Sequence, residues 1–343
     1  MLTSHRTTLK DIAQATGFSI NTVSRALKDS AAISKATRER IRTVAAELGY
    51  VVNASATAMR LGFTKTIAVI VGDIVNPHFA IMIKEIESVA RANQYGMIVL
   101  NTDEDPEREN EAVELALGKG VDGIIISPVQ KSQDSVLRIA AAQVPFVLIG
   151  RYFEGFHTNA VVCDDIQGGQ LATEHLLSLG HRKICFINGP EYVSSSRERQ
   201  EGYTRAFQKA GVPLDPAMIH PVSLQQDQRH GQLREILAST KATAVFAFSD
   251  MIAWETIQLL QELGKRVPED ISVVGFDNLL SKLHFPFPLT SVRTFKTLIS
   301  VEAVKMLLSR MSSPYDPNSP VSKQVISTSL AIRGSTRQVR ASK

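Results

Sequence analysis

Apolar residues along the 343-residue chain change their spacing near residue 66, and the change separates two kinds of structure. Before it, Leu9, Ile12 and Ala13 recur at helical spacing, Gly17-Phe18 interrupts the pattern, and Val23, Ala26 and Leu27 resume it. Two short helices with a tight turn are predicted, and Thr8 and Ser19 stand where N-cap hydroxyls belong. Ser34 can start a third helix over 35–48, with Ile41, Val44, Ala45 and Leu48 on one face and Gly49 at its end. A pair of short helices cannot bury its own apolar stripe, so the third should close a small three-helix domain.

After Thr66 the texture is short apolar runs alternating with amphipathic stretches. TIAVIV, YGMIVL, VDGIIIS and PFVLIG have strand length, and helical patterns fall near 79–94, 107–118 and 132–142. A second series follows: HRKICFI, a helix near 196–210, a poorly marked strand near 219–224, ATAVFAF, a helix over 251–263 and ISVVGFD. Each series is a βαβ succession, so the α/β fold class predicted is two doubly wound parallel-sheet lobes behind an N-terminal helical headpiece. Residues 294–311 read as a further helix, and QVISTSLAIRG as a late strand pair or edge. Between headpiece and lobes, NASATAMRL over 53–61 is too short and too rich in hydroxyl residues to be a stable helix alone, so it reads as a conditional one. The division expected is 1–52 headpiece, 53–65 hinge and 66–343 core.

Charge sharpens this division. Residues 1–66 hold ten Lys or Arg against four Asp or Glu, whereas the remainder holds 28 against 30. A basic small domain on a slightly acidic larger one is the distribution expected if only the first module meets phosphates. Its second helix would carry Ile20, Asn21 and Arg25 outward, and these types suit a thymine methyl, adenine N6/N7 and guanine O6/N7 respectively. The two helices therefore read as a helix-turn-helix, with Thr8, Ser19, Ile20, Asn21, Thr22, Ser24 and Arg25 as candidate DNA contacts. A merely exposed helical hairpin is the alternative. No apolar run approaches the roughly 18 residues of a membrane span and MLTSHRTTLK lacks a signal-peptide core, so a cytoplasmic protein is expected. Cys163 and Cys185 lie in apolar stretches without ligand-like spacing and read as buried thiols.

The stretch TLKDIAQATGFSINTVSRALKDSAAISKATRERIRTVAAELGYVVN resembles the headpiece of the lac repressor family, with its T-x-x-D-[IV]-A, G-x-S-x-x-T-V-S-R and L-G-Y-x-x-N elements in place. The resemblance implies a homodimer on a near-palindromic operator. It also implies that residues 53–61 are a hinge that folds in the minor groove, where Ala56 would contact DNA and Met59 would stand at the wedge position usually held by Leu. Val52 replaces the usual Pro, leaving the approach to the hinge less rigid. The lobes resemble the periplasmic-binding-protein-like core of the same family. That core crosses between lobes three times, which would return the 294–311 helix to the first lobe and divide the core as 66–160 plus 293–320 and 161–292 plus 321–343.

In open parallel sheets ligands bind beyond the carboxyl ends of the strands, which is where candidate chemistry is sought. After TIAVIV, Asn76 can cap and Pro77 begin a helix that holds His78 and Phe79 at the cleft; core packing is the alternative for Phe79, and a surface or otherwise satisfied role for His78. Arg151 follows PFVLIG, with an inter-lobe ion pair as its rival role. Arg199, with Gly202 and Tyr203, matches the family's R-x-x-G-[FY] element, Ser195 lies on the same loop, and Asp277 matches G-[FY]-D-[ND]. Ser249 lies at another strand end, and Asp250 beside it reads as a helix cap rather than a ligand contact. The effector-binding set is thus His78, Phe79, Arg151, Ser195, Arg199, Ser249 and Asp277.

Neither G-x-G-x-x-G after the first strand nor G-x-x-x-x-G-K-[ST] is present, and no nucleophile-elbow set or H-E-x-x-H appears, so neither catalysis nor a cofactor or metal is expected. The expectation is a DNA-binding transcription regulator, a repressor controlled by a small metabolite between the lobes. A sugar or sugar derivative is favoured from the mixture of Arg, Asp and aromatic candidates, with a nucleobase as the alternative. A solute-binding protein without a DNA role would share the core, but the basic headpiece speaks against it. The tail after Gly334 has no heptad pattern, which favours a dimer over a tetramer.

Overall fold

The computed structural model describes residues 7–51, 62–279, 282, 287–313 and 320–339, so the expected hinge helix, with Ala56 and Met59, lies outside the described residues. The chain forms two compact units, Met1–Thr64 and Lys65–Lys343.

In the first unit, α1 (Leu9–Thr16), α2 (Ile20–Leu27) and α3 (Lys35–Glu47) bury Ile12, Val23, Ala26, Ile41 and Ala45 against one another. Each helix starts on a hydroxyl. Thr8 forms a reciprocal capping box with Asp11, Ser19 accepts from Thr22 N at 3.1 Å, and Ser34 accepts from Thr37 N at 3.2 Å. Gly17 ends α1 at φ +76°, the left-handed conformation glycine adopts without strain. Leu48 departs from the expected buried face: it is 40% exposed, because the helix finishes one residue earlier and the chain turns at Gly49 (φ +62°).

In the second unit, β1 (Thr66–Val71), α4 (Pro77–Ala92), β2 (Gly96–Asn101), α5 (Pro106–Gly118), β3 (Gly123–Ile126), α6 (Asp134–Ala141), β4 (Phe146–Ile149) and β5 (Ala160–Cys163) build the first lobe. The second lobe comprises α7 (Asp165–Ser178), β6 (Ile184–Asn188), α8 (Ser194–Lys209), β7 (Ile219–Pro221), α9 (Gln226–Ser239), β8 (Ala244–Ala247), α10 (Asp250–Glu262), β9 (Ser272–Asp277) and β10 (Thr290–Arg293). The chain then returns through α11 (Lys296–Met311), which lies on α4 and on β3, β4 and β5, to β11 (Lys323–Ile326) and β12 (Ser329–Ala331). Strand order is β2-β1-β3-β4-β5-β11 in one sheet and β7-β6-β8-β9-β10-β12 in the other. Among the described residues every pairing is parallel except β10 with β12.

Of the two readings of the late segment, the edge holds rather than the pair. β11 joins β5 in the first sheet, whereas β12 runs antiparallel to β10 in the second. The lobe boundaries move accordingly. Ala160–Cys163 bonds to β4 and β11 and so stays in the first sheet, placing the first and last crossings just after Cys163 and Ile326, a little beyond the expected positions near 160 and 320, while the middle one follows Arg293 near the expected 292. Apolar runs mark where strands lie but not which edge accepts them. Cys163 and Cys185 are buried free thiols.

Helices α7 and α8 cross at closest approach through Gly169 and Gly202. A Cβ on Gly202 would lie 2.1 Å from Ile166 O, and one on Gly169 2.4 Å from Arg199 O. Backbone cannot yield as a flexible side chain would, so Gly202→Ala is expected to destabilise the core by about 1–3 kcal/mol or more, read as a lowered urea midpoint at unchanged m-value.

Candidate functional site

On α2, Ile20, Asn21 and Arg25 are exposed while Val23 and Ala26 face the three-helix core. The exposed side is the one a groove can read. Ser19 and Thr22 bond each other at 2.9 Å and hold the start of the helix, Ser24 is half-buried, and Thr8 caps α1.

Both sheets reverse their strand order at the strand next to one edge, β1 in the first and β6 in the second, and such reversals leave a crevice beyond the carboxyl ends of the strands. A cavity of about 130 Å³ lies there, lined by both lobes, and all seven strand-end candidates contribute to its wall. His78 and Phe79 arrive at the start of α4, where Asn76 Oδ1 accepts from His78 N at 3.0 Å and Pro77 fills the first helical position. Their rings meet edge to face at 5.3 Å, and Phe79 packs in the buried apolar core as well as lining the cavity.

Arg151 is buried, and its ion pair lies within one lobe instead of spanning two. Both ends of its guanidinium bond Glu104, at 2.7 and 2.8 Å, and Nη1 also donates to Pro128 O at 2.9 Å. Gly72 makes room for this carboxylate, since a Cβ there would fall 2.1 Å from Glu104 Oε1. Burial opposes the Arg151 charge, but Glu104 more than restores it.

Arg199 projects from α8 into a buried frame. Nε donates to Asp165 at 2.7 Å, Nη1 donates to Phe248 O, and the guanidinium lies 3.7 Å from the Phe276 ring centre and 4.3 Å from that of Phe248. Burial pushes the Asp165 carboxyl up, and Arg199 pulls against it.

Asp277 closes β9 at φ +114° and Asn278 follows at φ +53°, backbone that costs non-glycine residues about 1–3 kcal/mol and persists only where neighbours enforce it. Here Lys296 Nζ donates to Asp277 O, Ser291 Oγ accepts from Asn278 N at 2.9 Å, and Asp250 accepts from Leu279 N at 2.7 Å. His78 Nδ1, from the other lobe, stands 3.0 Å from the Asp277 carboxylate. Burial alone would raise the Asp277 carboxyl, but His78, Lys296 and Arg199 together hold it below the usual carboxylate range.

The helix cap next to it is Ser249, whose Oγ accepts from Ile252 N at 3.3 Å. Asp250, expected to cap, instead turns inward to Leu279 N and the Ser291 hydroxyl. The candidate set leaves out Glu104 and Arg229, which also line the cavity. Glu104 follows β2 in a stretch with no motif, and Arg229 sits on α9, a helix whose pattern is too polar to stand out. Phe248, the last residue of ATAVFAF, was within reach of the strand-end rule.

Hydrogen bonds tie the lobes around the cavity. α8 begins at Val193, which offers no capping side chain, and Gln130 of the first lobe supplies the acceptor, 3.0 Å from Ser194 N. Gln130 Nε2 also donates to Tyr152 O at 2.6 Å, Tyr152 N donates to Ser194 Oγ at 3.2 Å, and the Tyr152 hydroxyl donates to Glu198 at 2.6 Å. Gln225 adds a bond to Asp103 O at 3.1 Å. Along α8, Ser194 and Glu198 thus face the other lobe while Ser195 and Arg199 face the cavity.

A helix-turn-helix headpiece on a two-lobed core with a polar cavity between its lobes defines a DNA-binding regulator with an internal small-molecule site, and comparisons with known proteins agree. Residues 8–53 match the bacterial regulatory proteins of the lacI family, and residues 173–336 match the periplasmic binding protein-like domain. The HTH-type transcriptional regulator DegA of Bacillus subtilis strain 168 is 36% identical over 291 residues, covering 84% of this chain and 86% of the relative. The lac repressor dimer bound to operator and the anti-inducer ONPF superposes with TM-score 0.81 at 25% identity, covering 97% of this chain and 99% of that one. A complex of the transcriptional regulator CelR with cellobiose superposes with TM-score 0.72 at 29% identity over 96% of this chain and 100% of that one. The chain belongs to the lacI family of bacterial regulatory proteins and is a DNA-binding transcription regulator, not an enzyme.

The buried acid behind the cavity gives a pH test. Burial and the nearby Asp277 charge raise Asp250 to about 7, against the bonds from Ser291 and Leu279 N. A carboxyl raised on folding contributes stability below its unfolded pKa of about 3.9 and loses it as pH rises through its folded value. Wild-type stability should therefore fall between about pH 4 and 7 relative to Asp250→Asn, whose amide can still accept from Leu279 N. Parallel urea titrations of both proteins over that range measure the difference, and pH-independent spacing of the two curves would contradict it.

Proposed function

We propose that the chain acts in the cytoplasm as a homodimeric repressor whose two headpieces bind the halves of a near-palindromic operator, under control of a neutral sugar or sugar derivative held between the core lobes. The convergence of His78, Phe79, Arg151, Ser195, Arg199, Ser249 and Asp277, drawn from separate strand ends, on one inter-lobe cavity carries this reading. The cavity's arginines at 151, 199 and 229 each have a carboxylate partner, so the wall offers hydrogen-bonding polarity rather than an unanswered positive charge. That suits hydroxyl groups better than phosphate. CelR holds cellobiose on the same fold, which supports a carbohydrate. The lac repressor is a dimer on its operator, which supports the two-fold assembly. Met59 and Ala56 enter as proposed minor-groove contacts of the hinge.

Control follows from linkage. A ligand that prefers one lobe arrangement changes operator affinity only if that arrangement also differs in DNA affinity, and the coupling is reciprocal.

Arg25→Ala is expected to cost about 1–3 kcal/mol of operator binding and to relax base preference at one position of each half-site. Selection of binding sites for both proteins at fixed salt distinguishes this from a phosphate contact, which would weaken all sequences alike.

For the core, a thermal-shift screen against sugars, sugar phosphates and nucleobases should single out a sugar; a ligand at 100 times its Kd stabilises by about 2.7 kcal/mol. Asp277→Asn preserves volume and should abolish that shift while leaving operator binding by the ligand-free protein intact. A response confined to nucleobases would replace the carbohydrate reading.

A further inference from the structure

A second cavity of about 340 Å³ adjoins the first, and Glu104 and Leu224 belong to the walls of both. It too lies between the lobes. Lys131 comes from the first lobe, Tyr192 and the amides of Gln228 and Gln232 from the second. Tyr192 is 38% exposed, a large aromatic left open at a cavity, and Lys131 Nζ stands 5.9 Å from its ring centre. Burial and the nearby Glu104 carboxylate push the Tyr192 hydroxyl up while Arg151 opposes them, so this phenol lies within the field of the ion pair that lines the inner cavity.

We infer that this outer cavity is a second sugar subsite, and that the effector is a disaccharide or longer glycoside. One ring would lie in the inner cavity, and the next would lie on the face of Tyr192. The inference rests on the carbohydrate reading of the inner cavity. An aromatic face packs against the apolar C–H face of a pyranose, and amides serve hydroxyl groups because they both donate and accept. The amides are already oriented: Gln232 Oε1 accepts from Ser223 N at 2.9 Å, which leaves Nε2 as its donor, and Gln228 bonds Gln225 at 2.9 Å. Lys131 is the cation of this wall, and it shares the wall with the Glu104 carboxylate. Such a wall suits a neutral ring better than a phosphate. The Gln225 bond to Asp103 O joins the two lobes at the outer cavity, whose wall includes Gln225.

Calorimetric titration of the full chain with matched pairs tests this: xylose and xylobiose, glucose and cellobiose, glucose and maltose, galactose and melibiose. One disaccharide should bind at least about tenfold more tightly than its monosaccharide. Tyr192→Ala should bring that disaccharide to within about twofold of the monosaccharide and leave the monosaccharide unchanged, whereas Tyr192→Phe should keep the preference. Tyr192 is partly exposed, so both variants should melt like the wild type. A monosaccharide bound as tightly as its disaccharide, or Tyr192→Ala weakening both alike, would overturn the outer subsite while leaving the carbohydrate reading standing. Tighter binding of glucose 6-phosphate, lost in Lys131→Met, would make the outer cavity an anion site and overturn its assignment. Failure of every sugar to bind would remove the carbohydrate reading and the subsite together.

Discussion

Arg199 carries its charge where water scarcely reaches, and a buried charge is tolerated only if its neighbours answer it. Three residues do so. Asp165 at the start of α7 takes Nε, the Phe248 carbonyl beyond β8 takes Nη1, and the rings of Phe248 and Phe276 cover the guanidinium. Removing either partner would strand the other, which typically costs about 3–5 kcal/mol, so the second lobe is organised around this pair. The glycines at 169 and 202 serve the same end, bringing α7 and α8 close enough for Asp165 and Arg199 to meet. The residues at the cavity inherit their positions from that frame.

The first lobe is fixed to it by fewer and weaker links. The Gln130 and Tyr152 bonds to α8, the Gln225 bond to Asp103 and the approach of His78 to Asp277 are each of a kind worth on the order of 1 kcal/mol net. A handful of such contacts defines one lobe arrangement yet remains within the reach of a ligand's differential affinity. Because α8 presents Ser194 and Glu198 to the other lobe and Ser195 and Arg199 to the cavity, a molecule in the cavity presses on the helix that carries the inter-lobe bonds. The regulator's two requirements, a defined resting state and a responsive one, meet on one helical turn.

Much of this architecture is legible in residue spacing. The headpiece helices, their caps at Thr8, Ser19 and Ser34, and the apolar strands of both lobes announce themselves, because capping and periodicity are local. Less legible are α7, weakened by Gly168-Gly169, and α9, whose buried face is little more than Leu233 and Leu237. β10 is also hard to see, because TSVR carries a single apolar residue. The strand-end rule, together with the family motifs that carry Arg199 and Asp277, brings all seven candidate residues to the wall of one cavity. Glu104, just beyond β2, was within reach of the same rule, but its role as the partner of Arg151, 47 positions away, was not.

The sequence by itself determined the basic headpiece with its exposed Ile20, Asn21 and Arg25, the two βαβ series behind it, and the strand ends from which a ligand site could be built. These depend on interactions within a few residues, on charge and on hydrophobic period. The tertiary structure decided which sheet edge takes β5, β11 and β12, that Arg151 pairs within its own lobe, that Ser249 and not Asp250 caps α10, and that Gln130 caps a helix of the other lobe. Each of these pairs groups far apart in the chain, and a backbone edge or a buried charge carries no local mark of the partner it will meet.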